Sequence, residues 1–147
     1  MPFAPVVAAG YRGLALRSLG ETGGEPLLVL QPERAAPGAP RVLVASGFHG
    51  EEPAGPWGVL AFLESAPDAA FTSAHITMLP LVNVSGFRAG TRFNARGENP
   101  NRGYLGLTGE VPSREGLLLQ NHASLLREAA ADGLLTCHED VLLAHGY

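Results

Sequence analysis

The sequence predicts an α/β domain, a three-layer α/β/α arrangement in which a mixed, mainly parallel sheet lies between helices. Three observations carry that expectation. Short Val/Leu-rich runs bounded by turn residues alternate with helix-length segments along the chain. The runs lack a clean apolar/polar alternation, as strands covered on both faces do. Hydrophobic residues make up 46% of the 147 positions and charged residues 16%, which suits one folded domain over residues 1–147 and excludes disorder.

The elements follow in order. Residues 26–30 and 41–46 read as two strands joined by the Ala/Pro/Gly stretch at 35–40, and residues 75–81 and 134–138 as two more. A helix is expected over residues 53–64. Its proline is tolerated in a first turn, and its spacing turns Trp57, Leu60, Ala61 and Leu63 toward a core. A second helix is expected over residues 113–131, with Ser113 as N-cap, Glu115 in the first turn and Gly133 just past the end. Between Asn83 and Pro112 the pattern dissolves into Gly, Asn, Arg and Pro. A connection of about thirty residues far exceeds the usual length, and this one is rich in anion-binding side chains, which favours function over disorder.

Composition removes several classes of function. The net charge of −4 gives no basic excess for nucleic acid. All ten cationic side chains are arginine, so no Schiff-base or P-loop lysine is present. A single cysteine, Cys137, excludes an internal disulfide framework and a cysteine-only zinc site. No apolar run is long enough for a membrane span, and the first residues lack the charged region of a signal peptide. A cytoplasmic protein without nucleic-acid or membrane partners is expected.

Two segments offer metal-ligand chemistry. Gly47-Phe48-His49-Gly50-Glu51-Glu52 follows directly on the strand at 41–46. His49 and Glu52, three apart, set an imidazole and a carboxylate on one side of a turn, a partial ligand set for Zn²⁺. The carboxyl end of a strand is also where α/β folds place their sites. By itself the pair reads equally as a solvated turn leading into a helix. Leu134-Leu135-Thr136-Cys137-His138-Glu139-Asp140 delivers His138 at the end of another apolar strand. Two histidines and a glutamate make a catalytic zinc set, so the two segments complete one another. The bland alternative is a histidine capping a strand beside two carboxylates. Cys137 points away from His138 along a strand and reads as a small buried apolar residue. His75, His122 and His145 have no partner at ligand spacing.

The long loop supplies Arg92, Asn94, Arg96, Asn99, Asn101 and Arg102. Such groups hold a carboxylate by charge-assisted bonds or polarise a carbonyl, unless the Asn and Gly residues merely supply turns and the arginines face water.

Taken in order, His49-x-x-Glu52, Asn83-x-x-Gly86-Phe87, Arg92, Asn101-Arg102 and His138 resemble the zinc carboxypeptidase family, in its bacterial peptidoglycan-peptide amidase and small carboxypeptidase flavour. Phe48-His49-Gly50-Glu51-Glu52-Pro53-Ala54-Gly55 also resembles the succinylglutamate desuccinylase and aspartoacylase branch. The resemblance runs from about Val42 to Asp140. It implies zinc ligands at His49, Glu52 and His138, carbonyl polarisation by Arg92, and a grip on the substrate's carboxylate by Asn101 and Arg102. The implied activity is metal-dependent hydrolysis of an amide bond next to a free carboxylate. The implied substrate is a peptide or an acylated amino acid.

Three departures stand out. Asn99-Pro100-Asn101-Arg102 replaces the family's Asp-Leu-Asn-Arg. Glu139 and Asp140 follow the third ligand where small or aromatic residues are common, which makes the pocket more acidic. The family's general-base glutamate lies well downstream of the third ligand, and here no glutamate follows Glu139. The chain therefore reads as the front part of a longer domain, C-terminally incomplete, with little activity of its own. Exposed sheet edges and apolar faces would then favour self-association.

Overall fold

The computed structural model describes residues 11–34, 36–104 and 109–139. A hairpin of β1 (Leu14–Thr22) and β2 (Glu25–Pro32) begins the fold. Its two-residue turn is Gly23-Gly24, both with positive φ, as a turn matched to the twist of the strands requires. Next come β3 (Arg41–Ser46), α1 (Ala54–Ser65), α2 (Asp68–Ser73), β4 (His75–Leu79) and α3 (Val84–Ala89). The chain closes with α4 (Arg114–Asn121), α5 (Ala123–Ala129) and β5 (Gly133–Cys137).

The five strands lie in the order β1-β2-β4-β3-β5. β1/β2 and β2/β4 pair antiparallel, whereas β3 pairs parallel with both β4 and β5. The sheet is therefore mixed, with its parallel part confined to the strands that carry the site. On one face, Leu27, Val29, Leu43, Ala45 and Leu79 pack against Leu119 of α4 and Ala129 of α5. On the other, Leu14, Leu30 and Met78 pack against Val59, Leu60 and Leu63 of α1. Helices on both faces of one sheet make the three-layer arrangement.

The structure departs from the sequence expectation in four places. β1 is an additional strand. The register shifts between Ser18 and Gly20, and this bulge breaks the period-two pattern that would announce it. In α1 the buried positions are Pro56, Val59, Leu60 and Leu63, while Trp57 is 48% exposed and Ala61 faces solvent. The long helix expected over 113–131 divides at His122, whose Nε2 bonds the Leu19 carbonyl at 2.8 Å and ties the junction to β1. The long loop contains α3, capped by Asn83. No helix among the described residues is long and apolar enough to cross a membrane.

Candidate metal centre

The site is built where β3 ends. The turn that follows brings Gly50 against the backbone of α3, where a Cβ would lie 1.9 Å from the Gly86 carbonyl carbon. Only glycine permits that approach. Asn83, fully buried, ties three segments together. Its Oδ1 accepts from the Gly86 N–H at 2.9 Å. Its Nδ2 donates to the Phe48 carbonyl at 3.4 Å and to the Arg92 carbonyl at 3.2 Å. One carboxamide thus fixes the turn with His49 and Glu52, the start of α3, and the backbone of Arg92.

On that frame the three expected ligands converge. His49 Nδ1 lies 2.7 Å from Glu52 Oε1, and His138 Nδ1 lies 2.8 Å from Glu52 Oε2. One potential ligand atom from each residue falls within 4.8 Å of the others. His49 and Glu52 are buried, and the His138 side chain is about one-third exposed (32%), so the cluster opens on one side. Burial alone would raise the Glu52 carboxyl. The hydrogen bonds from His138 and His49, the charge on His49 and the Glu139 N–H outweigh it and hold the group below its ordinary value. Two imidazole nitrogens around a buried carboxylate are a donor set that fits a divalent metal ion with one position left open.

Asn99 is a site residue that the spacing of the histidines did not reveal. Its Oδ1 lies 3.2 Å from His49 Nε2 and also accepts from the Asn101 N–H at 3.0 Å. The second bond identifies that atom as the carbonyl oxygen, so Nε2 of His49 carries a proton. Nδ1 then remains for the centre. The signal was Asn99-Pro100-Asn101-Arg102, visible in the sequence but read for its last two residues.

Arg92 reaches the centre. Its Nη1 lies 3.1 Å from Glu51 Oε1 and 3.4 Å from Glu52 Oε1. Asn101 is half-buried and borders a groove with Phe48 and Tyr104. Arg102 is exposed, and its backbone N–H bonds the Asn99 carbonyl. The backbone thus sets both beside Asn99, while the described hydrogen bonds do not bring either side chain onto the three converging residues. Glu139 sits next to Glu52 through its N–H; Asp140, His145 and Tyr147 lie outside the described residues.

The loop itself is a built structure. Asn94 Nδ2 donates to Glu98 and to the buried Glu115, each at 2.8 Å, and Asn94 Oδ1 accepts from the N–H groups of Arg96 and Glu98. The bond from Asn94, set against partial burial and joined by the Arg114 N–H and the charges of Arg96 and Arg114, holds Glu98 below its ordinary range. Tyr104 donates to the Pro100 carbonyl, and burial, with Glu115 nearby, pushes its phenol up. His75 and His122 bond backbone carbonyls, and Cys137 is a half-buried free thiol.

The succinylglutamate desuccinylase/aspartoacylase catalytic domain matches residues 38–137. The chain belongs to that family. His49 and Glu52 lie inside the matched stretch, and His138 follows it directly. Among solved structures, the family member is similar to a proposed metallopeptidase from Shewanella baltica OS155. The two share 47% identity over 90% of this chain and 51% of that one, with a TM-score of 0.84. A proposed metallopeptidase from Shewanella denitrificans OS217 shares 46% identity over 95% of this chain and 51% of that one, with a TM-score of 0.85. The fold is also that of a metallo-carboxypeptidase from Burkholderia cenocepacia, at 22% identity over 95% of this chain and 39% of that one and a TM-score of 0.72. The chain thus spans about half the length of the Shewanella proteins. No curated protein sequence matches it. Within this desuccinylase/aspartoacylase-type fold, His49, Glu52 and His138 form a group able to hold a metal ion.

Proposed function

We propose that this chain carries the metal centre of a zinc-dependent hydrolase that cleaves an amide bond beside a free carboxylate, in the manner of a metallocarboxypeptidase. The observation that supports it is the convergence of His49, Glu52 and His138, with both Nδ1 atoms within 2.8 Å of the Glu52 carboxylate. Zinc held by these three residues would supply Lewis-acid polarisation of a carbonyl and acidify a bound water. The chain's own residues do the rest. Asn99 holds His49 in the tautomer that presents Nδ1 to the centre. Arg92, at the open side, supports charge that develops on the substrate's carbonyl oxygen. Asn101 and Arg102 receive the substrate's carboxylate through charge-assisted hydrogen bonds.

The same centre suits an N-acyl amino acid deacylase of the desuccinylase/aspartoacylase type, a reading favoured by the family match over residues 38–137. The two differ in whether the carboxylate-bearing amine is released from a peptide or from a single acyl group. Glu52 is engaged by both imidazoles and Glu51 by Arg92, so neither is free to take a proton from water. Turnover that relies on Glu51 or Glu52 as base is therefore proposed to be slow, since general-base assistance is worth about 10²–10⁴-fold.

Metal analysis and a paired assay test the proposal. Purified protein should hold about one zinc ion per chain, and His49→Ala and His138→Ala should each lose it. Equal zinc content in all three proteins would refute the centre. Chelator-sensitive hydrolysis of C-terminal peptides against N-acyl amino acids would separate the two readings. Zinc binding without turnover on either would mark the chain as a non-catalytic metal-binding fragment.

A further inference from the structure

Arg92 stands between two carboxylates that leave the same turn. Its Nη1 donates to Glu51 Oε1 at 3.1 Å and, over a longer contact, to Glu52 Oε1 at 3.4 Å. That Glu52 oxygen already faces His49 Nδ1 at 2.7 Å. A guanidinium closed fully onto Glu52 would occupy a lone pair that a metal ligand must give up to the ion. Glu51 offers the alternative acceptor, and its side chain is 32% exposed where that of Glu52 is 5% exposed. Its charge therefore stands at the rim, with less desolvation to offset.

The backbone fixes this competition in place. The Glu52 N–H bonds the His49 carbonyl and closes the turn with Glu51 inside it. Asn83 Nδ2 donates to both the Phe48 and the Arg92 carbonyls, so one buried side chain ties the start of the turn that carries Glu51 to the backbone of Arg92.

We propose that Glu51 is a positioning residue that keeps the Arg92 guanidinium from closing fully onto Glu52, so that both Glu52 oxygens stay turned to the imidazoles for the metal ion. Its consequence for metal affinity rests on the metal-centre reading above; the pairing itself does not. In that role Glu51 sets metal affinity through Arg92, and it keeps the guanidinium at the open side.

A double-mutant cycle tests it. Zinc dissociation constants are measured by competition with a chromogenic chelator for wild type, Glu51→Gln, Arg92→Ala and the double variant, with circular dichroism to establish folding. Glu51→Gln should weaken zinc binding roughly threefold to tenfold. In the Arg92→Ala background the same change should matter by less than about twofold. An equal loss in both backgrounds would mean that Glu51 acts on the ion by charge alone and would overturn the proposal, as would no loss in either. In metal-free protein, the Arg92 Nε–Hε resonance should move on Glu51→Gln, and an unmoved resonance overturns the pairing. A wild-type chain that binds no zinc overturns the metal-centre reading, and the resonance then decides the pairing by itself.

Discussion

Nδ1 of His138 faces Oε2 of Glu52 at 2.8 Å although 86 residues separate the two in sequence. Their meeting depends on one strand pairing, in which β5 runs parallel beside β3 with Cys137 opposite Ser46. Both strands then deliver the next residues to the same end of the sheet. Glu52 also bonds His49 from three residues away, so one carboxylate joins a local turn to a long-range pairing. The cluster can assemble only once β5 lies beside β3, so a metal ion held there would couple its binding to folding.

The coupling predicts a stability gain. Zinc at about a hundredfold excess over its dissociation constant should stabilise the fold by about 2.7 kcal/mol. For a domain of this size that is a rise in Tm of roughly 5–10 °C. His138→Ala should abolish the rise, and it should also lower the metal-free Tm, because it removes a hydrogen bond at 2.8 Å from the buried Glu52 carboxylate. Differential scanning calorimetry with and without chelator measures both, and a full zinc-dependent rise in His138→Ala would remove that residue from the centre.

Acid should act through two carboxylates. Glu52 and Glu98 are both held below 4.5 in the fold. A depressed carboxyl binds fewer protons folded than unfolded, so its contribution is fully present above about 4.5 and is lost as pH falls through the folded value. Urea midpoints of the metal-free protein should therefore hold steady near neutrality and decline below pH about 4.5. Glu98→Gln, which removes one of the two, should flatten that decline, and an unchanged slope would exclude Glu98 as a source of it.

Much of this centre was legible in the sequence because ligand chemistry is short-range at one end. His49 and Glu52 share a turn, and an apolar strand that ends at His138 announces its own end. The layers were legible because buried parallel strands are apolar runs. β1 was not, because a bulge and an exposed edge erase its alternation. The break between α4 and α5 was not, because its partner, the Leu19 carbonyl, lies 103 residues away. Asn83 and Asn99 were visible as motif residues, but their roles escaped for a related reason. A carboxamide gains its meaning from which backbone groups surround it, and asparagine between glycines and prolines reads first as a turn former.

Two glycines should respond in opposite directions to one added methyl group. At Gly50 a Cβ would meet the Gly86 carbonyl carbon at 1.9 Å, and neither backbone can yield without moving a metal-site segment. Gly50→Ala should cost about 3 kcal/mol or more, at the upper end of overpacking penalties, and should weaken zinc binding as well. At Gly58, inside α1, nothing lies within 4 Å. Gly58→Ala should stabilise by about 0.5–1 kcal/mol through helix propensity alone. Denaturant midpoints of the two variants check the signs, and a tolerated Gly50→Ala would refute the close approach.

Asn99 should matter to the metal more than to the fold. It is half-buried, and its carbonyl oxygen sets the proton on His49. Asn99→Ala should lower zinc affinity by roughly 10–100-fold, the usual cost of removing a hydrogen-bond partner behind a ligating histidine. Chelator competition measures the loss. Unchanged affinity would mean that His49 is held by Glu52 alone.

Among the described residues, the outer strands β1 and β5 differ in what they offer to a second copy of this chain. β1 carries Arg17, Ser18 and Glu21 and a bulge between Ser18 and Gly20, the features with which edge strands resist pairing. β5 reads Gly-Leu-Leu-Thr-Cys, without charge or proline. Leu134 is 62% exposed and Leu135 54% exposed, and they border grooves on opposite faces of the sheet. Within the described residues, an uncharged outer strand with apolar side chains on both faces offers a template for strand addition. Sedimentation velocity should therefore show concentration-dependent self-association, reduced by Leu135→Lys and left in place by Arg17→Ala. A monomer at every accessible concentration would refute association through β5. Equal association by wild type and Leu135→Lys would move the contact elsewhere on the molecule.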